Sequence, residues 1–176
     1  MNRAGHGKCA IAARTISEGE MLAGEGWNGT MLEVTARQLV RESEDAWNTR
    51  NLDAIALSHT IGCQWRCRSD HIWGREQVRA YIGRRWRREF EFRLLNELWA
   101  WNSNRIAVRF ACEFRDDSGT WYRVYGNENC LCDDHGLVSL RLTNANEHPI
   151  EEYERKLRWD VGGRPADYPS LLELGL

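Results

Sequence analysis

The residues best placed to do chemistry lie on a strand that the sequence predicts over residues 120–132. Side chains alternate between the two faces of a strand, so Glu128 shares its face with the apolar row Tyr122, Val124, Gly126, Cys130 and Cys132. We expect this face to point inward. A lone carboxyl group in apolar surroundings favours its protonated form, which suits a general acid or base. The alternative is that Glu128 pairs with an inward arginine and only holds the sheet together.

Five of the six cysteines fall on strand faces that we also predict to point inward: Cys63, Cys67, Cys112, Cys130 and Cys132. The simplest interpretation is that they are small buried hydrophobic side chains. The alternatives are a reactive thiol or a metal site built from these five thiolates. Neither Cys-x-x-x-Cys nor Cys-x-Cys is a strong zinc spacing by itself, so we predict no metal site and keep the thiolate site as the alternative.

Aromatic side chains on other elements are predicted to close a pocket around Glu128. Phe110 and Cys112 share the apolar face of a strand at 105–115, and Trp65 lies on the inward face of the first strand. Trp86 falls on the apolar side of a helix. The expected ligand-binding residues are therefore Trp65, Cys67, Trp86, Phe110, Cys112 and Cys130. The polar face of the strand at 105–115 carries Arg109, Glu113 and Arg115, which we expect to face solvent or a dimer partner; the alternative for Arg109 and Glu113 is the mouth of the pocket.

The remaining polar residues form no cofactor or catalytic motif that spacing alone can identify. No Ser-His-Asp order, phosphate loop or nucleotide fingerprint occurs, so we expect no cofactor. His59 and His71 flank the first strand, and we expect the loop that carries His71 to be solvated. The run Arg84–Arg88 contains four arginines, a pattern that also occurs in nucleic-acid-binding helices. However, the net charge is −2, so these arginines are predicted to form a solvated helical face with no nucleic-acid partner.

The apolar segments predict neither a membrane span nor a secretory signal. No run of about 18 apolar residues occurs, and the apolar stretch at Cys9–Ala13 is too short and is followed by Arg14. We therefore expect a cytoplasmic protein without a membrane partner, in which the cysteines remain thiols.

The elements that position these residues follow from hydrophobic periodicity. Residues 1–30 are rich in glycine and are predicted to be a flexible extension, followed by a single domain over 31–176 with an irregular C-terminal tail. Thr35 and Gln38 form a capping-box pattern at the start of the first helix. Further helices are predicted at 52–58, 75–90 and 151–158, strands at 61–68, 92–101, 105–115, 120–132 and 137–146, and a polar loop at 69–74. This order predicts an α+β fold in which helices pack on one face of a curved antiparallel sheet.

The order of elements resembles the nuclear transport factor 2-like superfamily in its SnoaL-like branch. The local sequence is similar to a bacterial and fungal group of uncharacterised function, over the stretches Glu44–Arg50, Gly74–Glu76, Glu97–Ala100, Asn104–Phe110, Tyr125–Asn129 and Glu173–Leu176. The resemblance covers about residues 33–176. It implies a cone-shaped curved antiparallel sheet with three helices packed on one face. Members include isomerases, dehydratases, epoxide hydrolases, cyclases and non-catalytic binders, so the fold alone does not choose a reaction.

The chain departs from this group at positions predicted to face the pocket. Cys67 stands where the group usually has asparagine, and Cys112, Cys130 and Cys132 stand where it usually has aromatic residues. If these positions face inward, the pocket is larger and richer in thiols than in the relatives.

The sequence therefore favours an enzyme that performs acid/base chemistry on a small organic metabolite, of isomerase, dehydratase, cyclase or hydrolase type. A non-catalytic ligand-binding domain is the alternative, and a thiolate metal-binding protein is a further one. The resemblance also implies a homodimer through the outer face of the sheet, where Trp121, Arg123 and Tyr125 are suitable interface residues.

Overall fold

Three helices and six strands make up most of residues 31–176, the part of the chain that this computed structural model describes. The predicted extension over 1–30 lies outside the described residues. In chain order the elements are α1 (Glu33–Asn48), α2 (Leu52–Leu57), β1 (His59–Cys67), β2 (Asp70–Trp73), α3 (Gly74–Trp86), β3 (Phe90–Asn102), β4 (Arg105–Arg115), β5 (Trp121–Cys132), β6 (Val138–Ile150) and a 3₁₀ turn (Glu152–Glu154).

The first helix buries the stripe that its periodicity predicts. Ala36, Val40 and Trp47 are all buried against the sheet. The capping-box prediction is wrong, because the helix begins at Glu33 and Thr35 lies inside its first turn. At the start of α2, by contrast, Asn51 supplies a true cap and accepts the backbone N–H of Ala54 at 2.9 Å.

The sheet has the strand order β2-β1-β6-β5-β4-β3. Strands β3 to β6 form the predicted antiparallel meander, but β1 lies parallel to β6, so the sheet is mixed. The parallel register places Trp65 beside Arg141. The prediction of a polar loop at 69–74 is wrong. Residues Asp70–Trp73 form strand β2, which pairs with β1 and buries Ile72.

The inner face of the sheet packs on the helices through two hydrophobic clusters. The larger cluster surrounds Trp47 and includes Trp65, Ile82 and Phe92. The second includes Met31 and Val40 at the start of the described chain and Cys132 of β5, so two separate clusters fill the interior. None of the helices within residues 31–176 is both long and apolar enough to span a membrane.

The C-terminal tail covers part of the outer face. Leu157, Leu171 and Leu176 pack on Leu95 and Ala111 of the sheet. The predicted helix at 151–158 is reduced to the 3₁₀ turn Glu152–Glu154, because the chain then runs along the sheet.

This covering corrects three expectations about the outer face. Glu113 is fully buried and accepts the backbone N–H of Leu157 at 3.0 Å, so it faces neither solvent nor a partner. Trp121 and Arg123 are also buried, and Arg123 forms an ion pair with Glu113 at 2.7 Å. Of the three expected interface residues, Tyr125 alone remains exposed.

Candidate functional site

A buried ion pair joins β5 and β6 on the inner face of the sheet. Glu128 is 5% exposed and Arg141 is 7% exposed. Arg141 Nε donates to Glu128 Oε2 at 2.9 Å, and Arg141 Nη2 donates to Oε1 at 3.0 Å. Removing both charges from water is costly, and this two-bond geometry is the arrangement that best offsets the cost. The inward arginine considered for Glu128 is therefore present, and it is Arg141.

Two further side chains fix the orientation of the carboxylate. Thr143 Oγ1 donates to Glu128 Oε2 at 3.2 Å, and Thr143 in turn accepts the indole N–H of Trp65 at 2.9 Å. The Thr143 hydroxyl thus links the Trp65 indole to the Glu128 carboxylate and fixes their relative positions. Each polar group in this short chain has a partner, as a buried polar network requires.

The guanidinium of Arg141 also lies against aromatic rings. Its carbon is 4.5 Å from the centre of the Trp65 ring and 5.9 Å from that of Trp47. Burial is the largest single influence on Arg141 and acts to lower its pKa, but the charge and hydrogen bonds of Glu128, together with smaller contributions from other neighbours, raise the pKa overall. Arg141 therefore stays cationic, and the aromatic faces help to replace the water it has lost.

Two cavities share Asn96, Glu128 and Arg141 in their linings. The first has a volume of about 40 Å³, and we call it the Trp65 cavity; its other lining residues are Trp47, Trp65, Cys67, Arg85, Phe92, Leu94, Phe110, Cys112 and Thr143. The second has a volume of about 80 Å³, and we call it the His59 cavity; its lining includes His59, Val40, Ile106, Val108, Cys130, Cys132 and Val138. The ion pair and Asn96 are thus the polar residues that the two mostly apolar cavities share.

The structure brings most of the predicted site residues together. Trp65, Cys67, Phe110 and Cys112 line the Trp65 cavity, and Cys130 lines the His59 cavity. Trp86 lines neither; its ring packs edge-on against Trp47, with the ring centres 6.0 Å apart. Trp86 therefore supports the wall rather than forming it.

The cysteines are distributed between the two hydrophobic clusters. Cys63, Cys67 and Cys112 belong to the cluster around Trp47, whereas Cys130 and Cys132 belong to the other. Within residues 31–176, no group of three or more His, Cys, Asp or Glu side chains is arranged to hold a metal ion. Burial raises the pKa of Cys132 to about 11 and also raises the pKa values of the Cys63, Cys112 and Cys130 thiols. These four side chains are therefore protonated thiols at neutral pH.

Arg85 is a site residue that the sequence analysis missed. It was grouped with the solvated arginines of α3, yet it lines the Trp65 cavity. Its guanidinium carbon lies 5.5 Å from the centre of the Trp47 ring, and its Nε donates to Glu89 Oε1 at 2.7 Å. Burial is the largest single influence on Arg85 and acts to lower its pKa, but the charge and hydrogen bond of Glu89, together with smaller contributions from other neighbours, raise the pKa overall. The Trp65 cavity is therefore flanked by two cationic groups, each with its own carboxylate.

His59 is a second residue that the sequence analysis missed. It is 1% exposed, and its Nδ1 lies 2.8 Å from the carbonyl oxygen of Ile55. Burial, aided by the charge of Arg141, lowers the pKa of His59 to about 4. The ring is therefore neutral at pH 7. Strand alternation carries the signal that could have found it, because His59 has the same parity as Cys63 and Trp65.

Comparisons with known proteins support the fold and leave the reaction open. A family model described as "Protein of unknown function (DUF1348)" matches residues 30–158. A search of curated proteins finds no match.

Several solved structures share the architecture at low sequence identity. SalBIII, described as an epoxide hydrolase/cyclase-like enzyme in pyran ring formation in the polyether salinomycin, is 19% identical with a TM-score of 0.58, over 65% of this chain and 92% of that chain. RV0760c from Mycobacterium tuberculosis, in complex with estradiol-17beta-hemisuccinate, is 14% identical with a TM-score of 0.55, over 63% and 93%. A putative SnoaL-like polyketide cyclase from Shewanella denitrificans OS-217 is 10% identical with a TM-score of 0.56, over 63% and 90%.

These matches confirm the predicted nuclear transport factor 2-like fold. The open six-stranded sheet with helices on its inner face has this cone-shaped α+β architecture. Two of the matched structures are described as enzymes, one as epoxide hydrolase/cyclase-like and one as an LEH-like epoxide hydrolase, and a shared fold does not by itself assign a reaction to this chain.

Proposed function

This chain belongs to the DUF1348 family of proteins of unknown function, and from its geometry we propose that it is an enzyme performing acid/base chemistry on a small organic metabolite. The observation that carries the proposal is the buried Glu128–Arg141 pair, which lines two apolar cavities. The supported reaction types are isomerisation, dehydration, cyclisation and hydrolysis. Each of these needs only one positioned proton-transfer group in a space that excludes water.

In this proposal each residue of the two cavities has its own role in the reaction. Glu128 accepts a proton from the substrate or from an attacking water. Arg141 stabilises the negative charge that then develops on a substrate oxygen, because its guanidinium is already fixed in a site of low polarity. Trp65 and Phe110 hold the carbon skeleton, and Cys67, Cys112 and Cys130 fill the remaining wall. The proton on Glu128 returns to the product or to its leaving group, so the enzyme ends each cycle unchanged.

Two of the matched proteins have descriptions of the same reaction types. SalBIII is described as epoxide hydrolase/cyclase-like, and the Shewanella denitrificans protein as a SnoaL-like polyketide cyclase. They support the choice of reaction class for a chain of this fold, and they do not identify its substrate.

A substrate larger than a few atoms requires the Trp65 cavity to widen, because its volume is about 40 Å³. Phe110 and Arg85 are the lining residues that are only partly buried. We infer that these two side chains move aside when a ligand enters. Arg85 can do so without leaving a bare charge, since it is paired with Glu89.

The test compares two matched substitutions in a turnover assay against epoxide, β-hydroxy-carbonyl and enone substrates. Glu128→Gln preserves the shape of the side chain and removes its charge. Glu113→Gln makes the same change at another buried, arginine-paired carboxylate, on the outer face and away from both cavities. We expect Glu128→Gln to lose about a hundredfold or more in rate and Glu113→Gln to retain activity. Equal rates in the two variants would remove Glu128 from the mechanism.

A non-catalytic ligand-binding domain is the second candidate, and one observation favours it. Both oxygens of Glu128 already accept hydrogen bonds from Arg141 or Thr143, so the carboxylate is occupied before any ligand arrives. A ligand that binds tightly and is recovered unchanged from both the native protein and Glu128→Gln would support this candidate over the enzyme.

We also propose a homodimer through the part of the outer face that the tail leaves open. Trp99 is 72% exposed there, and Tyr125 stands near it in an open trough that Asn127 and Asn144 also line. An exposed tryptophan beside a polar rim is typical of an interface between protein chains. Light scattering should give the mass of a dimer for the native chain and of a monomer for Trp99→Glu. A monomeric native chain at high concentration would contradict the proposal.

A further inference from the structure

We propose that the His59 cavity is a subsite for the hydroxyl group of a small neutral molecule, with Nε2 of His59 as the hydrogen-bond acceptor. The inference deepens the proposed function and rests on it, because the two cavities share Glu128 and Arg141. It assigns a polar contact that the acid/base mechanism does not use.

The tautomer of His59 follows from its contacts. Nδ1 lies 2.8 Å from the carbonyl oxygen of Ile55, and a carbonyl can only accept, so Nδ1 carries the proton. The hydroxyl of Ser58 also donates to Ile55, at 2.8 Å, and therefore does not compete for Nδ1 as a donor. The neutral ring then presents an unprotonated Nε2, which can accept one hydrogen bond.

Nε2 is the unsatisfied atom in this arrangement. It is buried, and no described residue donates to it. Buried polar atoms almost always have a partner, so an orphaned acceptor on a side chain that lines a cavity indicates a donor supplied from outside the protein. The low pKa of His59, about 4, agrees with this, because a neutral ring accepts where a charged ring could only donate.

The ring is held firmly in this orientation. It is stacked on Trp65, with the ring centres 6.1 Å apart and the planes at 26°. Its backbone carbonyl accepts Arg75 Nε at 2.7 Å, which anchors the start of β1. An acceptor fixed in this way is preorganised, and little ordering of the protein is needed when a donor binds.

The lining determines the class of ligand. The walls are mostly apolar, with Val40, Ile106 and Val138 among them. The charges of Glu128 and Arg141 are already paired with each other, so neither a free anion nor a free cation gains an unpaired partner. A neutral molecule with an apolar body and one O–H donor fits both features. The cavity reaches the surface at a rim that includes the exposed Glu42 and the turn at Gly136.

The experiment compares phenol with fluorobenzene, which replaces the hydroxyl by fluorine and keeps the shape of the ring. Binding of each probe is measured by calorimetry, and the His59 Nε2 resonance is followed by nitrogen NMR. We expect phenol to bind roughly tenfold more tightly than fluorobenzene, since it alone satisfies the buried acceptor. We also expect the Nε2 resonance to shift with phenol and not with fluorobenzene.

Two substitutions to phenylalanine assign the contact. His59→Phe keeps an aromatic ring on Trp65 and removes the acceptor, so the preference for phenol should disappear. His148→Phe is the matched control, because His148 is also stacked on an aromatic ring, Tyr125, but lies on the outer strand face away from this cavity. It should retain the preference.

Three outcomes would overturn the subsite. The first is an unchanged preference for phenol in His59→Phe. The second is an Nε2 resonance that does not move at saturating phenol, which would mean that the acceptor holds only water. The third is the failure of phenol to bind up to its solubility limit. The resonance measurement uses the native protein, so it decides the matter even if His59→Phe does not fold. Failure of the proposed enzyme is distinguishable, because phenol binding at Nε2 requires no proton transfer by Glu128.

Discussion

The guanidinium carbon of Arg141 lies 4.5 Å from the centre of the Trp65 ring. The two residues are neighbours because β1 and β6 are parallel and place them in register. Strand β5 lies on the other side of β6, and Glu128 of β5 is opposite Thr143 of β6. Glu128 therefore reaches Arg141 from the side away from Trp65. The candidate site is therefore made at the junction of one parallel and one antiparallel strand pair.

Removing Arg141 should destabilise the fold strongly. Arg141→Met leaves the carboxylate of Glu128 buried without its cation, and we expect a loss of about 3–5 kcal/mol in the free energy of unfolding. The double variant Arg141→Met/Glu128→Leu should recover much of that loss, because no charge then remains unpaired. Urea unfolding of the native chain and of each variant measures both effects. A double variant as unstable as Arg141→Met would show that packing of the arginine, not its charge, stabilises this region.

Part of this site could be predicted from the sequence. Strand alternation placed Glu128, Cys112 and Cys130 on the inner face, because a strand has a period of two whatever its neighbours are. An inward face for Glu128 also made an arginine on the same face a possible partner. Alternation did not identify Arg141, since the pairing depends on the register of β5 with β6 and of β6 with β1.

The errors have a common physical origin in long-range packing. Glu113 lies on a polar strand face, yet it is buried because residues 156–157 lie over it and donate their N–H groups to its carboxylate. Arg85 belongs to a run of arginines, yet it turns inward because Trp47 and Glu89 provide an aromatic face and a charge. Residues 156–157 are far in sequence from Glu113, and Trp47 is far from Arg85, so periodicity carries no information about these two contacts. Glu89 is only four residues from Arg85, but this spacing alone does not show that the pair packs on Trp47. The strand β2 was missed because its four residues are too few to show an alternation.

The stability of the fold should decrease as the pH falls from about 6.5 towards 4, through His59. Its pKa is about 4 in the folded chain, against 6.5 for an unperturbed histidine. Between these two pKa values the histidine is protonated in the unfolded chain and neutral in the folded chain. The contribution of neutral His59 to the free energy of unfolding is therefore complete above pH 6.5 and is lost as the pH approaches 4. The full loss is about 3 kcal/mol. Burial raises the pKa of Glu44, which acts in the opposite direction, so the difference between the native chain and His59→Phe is the quantity to measure.

That difference should come from urea unfolding at pH 7 and at pH 5. The native chain should lose about 2 kcal/mol more than His59→Phe between the two values. His148→Phe should behave as the native chain does. Parallel pH profiles for the native chain and His59→Phe would contradict the assignment of this dependence to His59.

The thiols of the interior should react slowly with a disulfide reagent. In a Cys9→Ser background, the remaining cysteines are the five described ones, of which four are buried and Cys130 is partly buried. We expect the folded chain at pH 8 to react at least about a hundredfold more slowly than the chain in urea, because burial keeps the reagent away from the thiols. Burial also raises the pKa values of Cys63, Cys112, Cys130 and Cys132. Absorbance of the released thiolate measures the rate. Rapid reaction of one thiol in the folded chain would instead reveal a nucleophile in the pocket, and mass spectrometry would identify it.

Substitution of Gly126 should displace Phe110 and disturb the Trp65 cavity. A Cβ atom at this position would lie 2.2 Å from Phe110 Cζ and 2.8 Å from the carbonyl oxygen of Asn144, so the phenyl ring rests directly on the glycine. We expect Gly126→Ala to lower the free energy of unfolding by about 1–3 kcal/mol, as overpacking does. Gly62→Ala is the matched control, because Gly62 has open space at the same atom and should change stability by less than about 0.5 kcal/mol.

A double variant tests whether Phe110 transmits the effect. If the ring is the obstacle, Gly126→Ala should cost clearly less in a Phe110→Ala background than in the native chain, because the clash with the ring no longer exists. The remaining cost then reports the carbonyl of Asn144, which cannot move without disturbing β6. Additive losses in the two backgrounds, measured by urea unfolding, would show that the strand backbone is the obstacle. In that case Phe110 would be free to move when a ligand enters, and the glycine at position 126 would be required by the close approach of the β6 backbone and not by the phenyl ring.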